Sequence, residues 1–243
     1  MRRSSQAAIP AVARTTVLRR RHITKILAEV PGRRAINQSP RLADHVGWCV
    51  IDSIVFVLDA ARSRYLSMDR ATSEAWCHWQ QGGEISQSLE SKLSEIGWLG
   101  EPSVPERLAR PVPFLRPPIV FSILCLLRAR GVVRSVPISQ AVAWARQHRR
   151  PPAERAPDLA KLLSVFRTAE GVFPSKLGDE DCLPRSLALY AYLLRYGVNA
   201  EHHIGVKRFP FEAHAWVSCD DALILEDEAV ASAARFTPIL QSN

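Results

Sequence analysis

The sequence predicts an α+β fold in two parts: a small antiparallel sheet with helices behind it, then a helix-rich domain closed by a strand pair. Three observations predict it. Between His45 and Met68 three short β-rich runs follow one another at hairpin spacing. From Ala71 to Ile96, and again from Ile119 to Leu194, apolar residues recur at helical period. After Gly197 the period returns to two, in Ala213, Ala215, Val217 and Cys219.

At 243 residues the chain can bury one large or two small cores. Residues 1–43 carry Arg2, Arg3, Arg14, Arg19, Arg20, Arg21, Lys25, Arg33, Arg34 and Arg41 against the single acid Glu29, and supply much of the formal net charge of +8. Such a segment reads as a disordered basic arm, an organellar transit peptide or an upstream start that adds non-native residues. It has no uninterrupted apolar run of the kind a secretory signal needs, and we take it as a mobile tail without essential chemistry.

Residues 44–100 read as the first folded domain. Val46–Asp52 and Ile54–Asp59 are β-rich, and a polar connection leads to Tyr65-Leu66-Ser67-Met68. Asp69 or Thr72 starts a helix with Ala71, Ala75, Trp76 and Trp79 as its apolar stripe, and Gly82-Gly83 ends it. A second helix from Glu84 to Ile96 carries Ile85, Leu89, Leu93 and Ile96 on one side.

Six prolines mark residues 101–118 as a linker or docking strap. The domain at 119–243 opens with Ile119–Leu127, too short to span a bilayer and followed by Arg128 and Arg130; a buried core helix is predicted there. Helices follow from Ile138 to about His148, and after Asp158 with Leu159, Leu162, Leu163, Phe166 and Ala169 at helical spacing.

The chemistry concentrates in Asp181-Cys182-Leu183-Pro184-Arg185-Ser186-Leu187. Good helix formers run from Leu187 to Leu194 and stop at Gly197, a residue suited to the left-handed position past a helix end. Pro184 fits only the first turn of that helix, which places Cys182 at its start. Unpaired backbone N–H groups there favour a thiolate, whereas Asp179, Glu180 and Asp181 oppose it.

His214 lies on the alternating segment Ala213–Cys219. Asp220-Asp221 makes a turn and Ala222–Glu228 returns as the second strand. A two-residue loop sets His214 across from Asp227, and a loop one residue longer sets Glu226 there. Cysteine, histidine and acid together form the parts of an activated nucleophile, its base and an orienting carboxylate. Taken singly, a cysteine at a helix start or a histidine on a strand is as often an inert core group. No C-x-x-C or H-x-x-x-H spacing supports a zinc site instead. The odd number of cysteines, five, is no disulfide framework and suits a reducing cytoplasm.

At these residues the chain resembles the leader peptidases of lasso peptide biosynthesis, the B proteins, which have a papain/transglutaminase-like cysteine protease fold. The match runs through Cys182–Leu189, Leu193–Val198, His203–Val206, His214-Ala215-Trp216-Val217 and Phe236–Leu240. The resemblance implies Cys182 as nucleophile and His214 as base. The family's aspartate falls on Glu226, with Asp227 beside it, and the choice between them stays open. It further implies a lasso precursor peptide as substrate and a partner cyclase of asparagine-synthetase type, with ATP used in the pathway. No ATP motif occurs in this chain, and no cofactor is assigned to it.

Residues 44–100 resemble the PqqD-like recognition element of enzymes that mature ribosomal peptides, a small winged-helix-like domain. The carrying residues are Leu58-Asp59, Arg64-Tyr65-Leu66-Ser67-Met68 and Ala75-Trp76. In that family a leader peptide adds as a strand to the sheet edge, which points to Tyr65, Leu66, Leu89, Lys92 and Leu93. A winged-helix DNA binder is the rival reading, but Glu74, Glu84, Glu90 and Glu95 stud the helices and would repel phosphate. A transglutaminase-like acyl transferase or deamidase, and a non-catalytic leader carrier, are the alternatives to peptidase.

Overall fold

A computed structural model describes residues 40–100, 110–112, 117–151, 157–172, 182–220, 222–224 and 235–242. Residues Ser39–Asn243 form one compact unit; the other unit, Met1–Gln38, lies outside the described residues. The architecture is mixed α/β, with a three-stranded and a four-stranded sheet.

The first sheet runs β1 (Val46–Ile51), β2 (Ile54–Asp59), β3 (Arg64–Ser67), each antiparallel to the next. Asp52 and Ser53 both take positive φ between the paired Ile51 and Ile54, the two-residue turn whose twist matches its strands. Helix α1 (Arg70–Gln80) is capped by Asp69, whose carboxylate accepts from the Thr72 N–H; α2 (Gln87–Glu95) is capped by Ser86. The second helix therefore begins three residues later than its apolar spacing suggests, because Ser86 captures the Leu89 N–H.

Both faces of this sheet are used. Val46, Val55 and Val57 pack with Trp76, Trp79, Leu89, Leu93 and Trp98 under the two helices. Trp76 is the hub, edge-on to Trp48, Trp79 and Trp98. On the other face Cys49, Phe56 and Leu58 enter the larger core shared with the C-terminal half. Leu42 and Ala43, expected in the basic tail, are buried too: Leu42 bridges Leu99 and the Ala43 N–H donates to the Trp98 carbonyl. The buried Asp59 binds three donors at once, from Trp98, Arg62 and the Arg62 backbone. Burial pushes its carboxyl up, but the hydrogen bonds from Trp98 and Arg62 win and hold it below the ordinary range.

Of the proline-rich strap, residues 110–112 are described. Val112 is buried and its N–H donates to Nε2 of His148, while the Trp144 indole donates to the Arg110 carbonyl. Next come α3 (Pro118–Ser135), α4 (Ile138–Arg146), α5 (Leu159–Gly171, capped by Asp158) and α6 (Cys182–Arg195). Arg128 and Arg130 do not end α3, which continues two turns beyond the apolar run. In α6 every residue from Ser186 to Leu194 is buried. A helix apolar on all sides must be covered on all sides. Helices α3 and α4 pack against it, and so do β4 and β5 from the second sheet.

That sheet has the order β6-β5-β4-β7: β4 (Ala200–Lys207), β5 (Glu212–Cys219), β6 (Ala222–Leu223) and β7 (Thr237–Ser242). Strand β1 lies against β7 so closely that a Cβ on Gly47 would collide with the Ile239 carbonyl oxygen. The contact can be made only by glycine. Among the described residues, no helix is long and apolar enough to cross a membrane.

Candidate active site

Cys182 is the first residue of α6, partly exposed, at the mouth of the main core. Pro184 sits in the first turn, where its missing N–H costs nothing. Gly197 takes φ +74° after the last turn, and the Val198 N–H reaches back to the Leu193 carbonyl. Arg185 is engaged within the fold. Its Nε donates to Glu170 at 2.6 Å, tying the start of α6 to the end of α5.

The other cysteines differ in kind. Burial pushes the Cys49 thiol up to about 12 and Cys219 up to about 11, the latter helped by Asp220 and Glu201. Burial raises Cys125 and Cys77 as well. A thiol so held is a poor nucleophile at neutral pH, and Cys182 is the partly exposed cysteine that opens a helix.

His214 is the third residue of β5, in register with Gly205 on β4. Alternation along β5 sends Ala215, Val217 and Cys219 into the core beneath α6, and His214 and Trp216 to the other face. There the His214 ring lies 5.3 Å from Phe236 and 6.1 Å from Trp216, nearly parallel to the indole. Trp216 also stacks on His203 at 5.4 Å, and His203 hydrogen-bonds Ser218 at 2.8 Å. A Cβ on Gly205 would stand 2.7 Å from the Trp216 ring, so this glycine lets the indole lie beside the imidazole.

Cys182 and His214 stand on packed elements, α6 against β5, but the His214 ring lies on the face of β5 turned away from α6. Their flanks are linked by Tyr65. Burial first, and then the neighbouring Cys182, push its phenol up to about 12, and its ring meets Phe211, the residue before β5, at 5.7 Å. The start of α6 and the start of β5 therefore lie at one end of the layer pair.

The acids that the sequence offers fall outside this geometry. Glu226 and Asp227, and likewise Asp179, Glu180 and Asp181, are outside the described residues. What is described is the register that leads toward the two acids: Ser218 pairs Leu223 and Cys219 pairs Ala222, with Asp220 at positive φ. This is the two-residue loop.

The residues expected to hold a leader peptide do not form one surface. Leu89 and Leu93 are buried beneath the first sheet, where they fill its core. Lys92 and Leu66 are exposed, the latter 40%. Tyr65 is half-buried against the main core, on the face of the sheet away from α1 and α2. Strand β3 pairs only with β2, so its outer edge is unpaired within its sheet.

Two buried polar groups escaped sequence reasoning. His202 lies under α6 with Nε2 3.0 Å from the Ser186 hydroxyl, and His148 receives the strap. The adjacent pair His202-His203 was a visible signal: on a strand, one of two neighbours must face inward. Among the described residues, no group of three or more His, Cys, Asp or Glu could hold a metal ion.

A partly exposed cysteine at a helix start, on a helix packed against a histidine-bearing strand, makes a candidate cysteine enzyme of the acyl-transferring kind. The comparisons sharpen this: residues 123–241 match the transglutaminase-like superfamily, in which a Cys-His-Asp triad is typical. No curated protein and no solved structure matches the chain.

Proposed function

We propose that this protein is a cysteine peptidase that holds the leader of a ribosomally made lasso precursor peptide and cuts leader from core. The observation that carries the reading is Cys182 opening the buried helix α6 against the strand of His214, within a transglutaminase-like domain.

The first sheet, as a winged-helix-like element, takes the leader as a fourth strand along β3, where unpaired N–H and C=O groups wait for a partner. Cleavage then follows acyl-transfer chemistry. His214 takes the thiol proton, and the Cys182 sulfur bonds to the scissile carbonyl carbon. N–H groups at the start of α6 hold the developing oxyanion. The C–N bond breaks as His214 returns the proton to the leaving amine. Water, deprotonated by the same imidazole, then splits the thioester and frees the leader carboxylate. Asp227 or Glu226 orients the ring. The chemistry requires the sulfur and the imidazole to meet around the end of β5. A cyclase of asparagine-synthetase type, using ATP, then closes the released core into a macrolactam, all in a reducing cytoplasm that keeps Cys182 a thiol.

The superfamily match equally favours an acyl transferase or deamidase, since only the acceptor of the thioester differs. Incubation with a precursor peptide and mass analysis separates the outcomes. A free leader fragment means hydrolysis, while a crosslink or a one-dalton gain means transfer. Processing that survives Cys182→Ala would leave a non-catalytic carrier and end the peptidase reading.

A further inference from the structure

On the face of the second sheet turned away from α6, His203, Gly205 and Lys207 of β4 stand in register with Trp216, His214 and Glu212 of β5. His214 thus faces the one position in that row without a side chain. A Cβ on Gly205 would stand 2.7 and 2.8 Å from Cη2 and Cζ3 of Trp216 and 3.1 Å from Cβ of Phe236. The far edge of the indole and the stem of Phe236 therefore close over the glycine, and both rings border the imidazole opposite. Phe236 lies 5.3 Å from it at 32°, and Trp216 lies 6.1 Å from it at 17°. These walls are themselves fixed. Both are buried and pack with Leu223. His203, hydrogen-bonded to Ser218, stacks on the indole, while Lys207 stands over the Phe236 ring and is held by Glu212.

We propose that Trp216 and Phe236 are positioning residues for His214, two aromatic walls that fix the plane of its imidazole, and that residue 205 is glycine so that the walls can close. The inference rests on His214 being the base. A base that takes a proton and gives it back must keep its ring in one orientation, because a small misplacement of a reacting group is costly in rate. An aromatic face restrains a neighbouring ring by contact alone and leaves the ring nitrogens to their hydrogen bonds. Three strands supply the arrangement: the imidazole and indole come from β5, the gap from β4, and the second wall from the residue before β7.

The test follows turnover of 4-nitrophenyl acetate by the full chain, counting the part that Cys182→Ala abolishes. This ester acylates a thiol without needing a leader peptide. Trp216→Leu keeps apolar bulk but removes the flat wall, and kcat should fall about ten-fold with KM changed by less than about two-fold. Trp216→Phe, which restores an aromatic face, should recover most of the loss. Gly205→Ala tests the same point with both aromatic rings present: its methyl group pushes the indole aside, so kcat should fall to a similar extent. Adding Trp216→Phe to Gly205→Ala removes the colliding edge and should raise kcat again. Denaturant unfolding of each variant establishes that folded proteins are compared. A residue that only fills the core would alter stability and leave kcat of the folded protein unchanged. Turnover that falls in His214→Gln but not in Trp216→Leu or Gly205→Ala would overturn this inference alone. Absence of Cys182-dependent turnover, or turnover indifferent to His214→Gln, would overturn the base assignment and this inference with it.

Discussion

The hydroxyl of Ser186, one turn beyond Cys182 on α6, lies 3.0 Å from Nε2 of His202 on β4, wholly inside the protein. The contact ties the nucleophile helix to the sheet it covers. Burial first, and then the neighbouring His203, depress the His202 imidazole to about 3, so it is neutral in the fold.

That depression sets a pH dependence of stability. The unfolded chain protonates this histidine near 6.5 and the folded chain only near 3, so its contribution is complete above pH 6.5 and lost as pH falls between these values. The expected loss is roughly 1.4 kcal/mol per pH unit in that window. His148, also lowered by burial, acts in the same direction. Urea unfolding at pH 7, 6 and 5 should show the decline, and His202→Leu should flatten part of it. An unchanged slope in the variant would refute the assignment.

Gly47→Ala should lower stability by about 1–3 kcal/mol, since a methyl group there meets the backbone of Ile239 and cannot be relieved by a side-chain rotation. Denaturant midpoints of wild type and variant measure it.

The peptidase chemistry needs sulfur and imidazole to meet. Cys182→Ala and His214→Ala should each reduce precursor cleavage by at least ~10³-fold. His214→Cys supplies a ruler: under mild oxidation a disulfide should form between Cys182 and the introduced thiol, which requires Cα atoms within about 7 Å. Failure to form it while other pairs oxidise would remove the triad.

Between the two acids, the observed register decides the expectation. Cys219 pairs Ala222 and Ser218 pairs Leu223; Asp227 lies outside the described residues, and a strand continuing in that register would bring it opposite His214. Asp227→Asn should therefore reduce kcat by about 10²–10⁴-fold, as loss of an orienting carboxylate does, with Glu226→Gln near wild type. Steady-state cleavage rates of the two variants distinguish them, and the reverse order would show that the strand slips by one residue.

Much of the architecture was legible in the chain. Asp69, Asp158, Pro184 and Gly197 marked helix ends because capping chemistry is local. The loop at Asp220 followed from strand period and turn residues in the same way, as did a tight turn between the first two strands, although Asp52, read as strand, belongs to that turn. The cysteine at a helix start and the histidine on a strand were likewise visible, being properties of neighbours in sequence.

What no local pattern carried was the meeting of distant segments. Helical spacing marked Leu89 and Leu93 as one face without saying that the face is core rather than docking surface. Period-two alternation assigned Tyr65 to a strand, but only the tertiary structure brought its ring against Phe211, itself stacked on Phe56. Gly47 became necessary only when β7 arrived against β1, almost two hundred residues on. Local steric and hydrogen-bonding preferences act over a few residues, so they are written in the sequence. Which faces meet depends on how the whole chain buries its apolar area, and that is settled only in three dimensions.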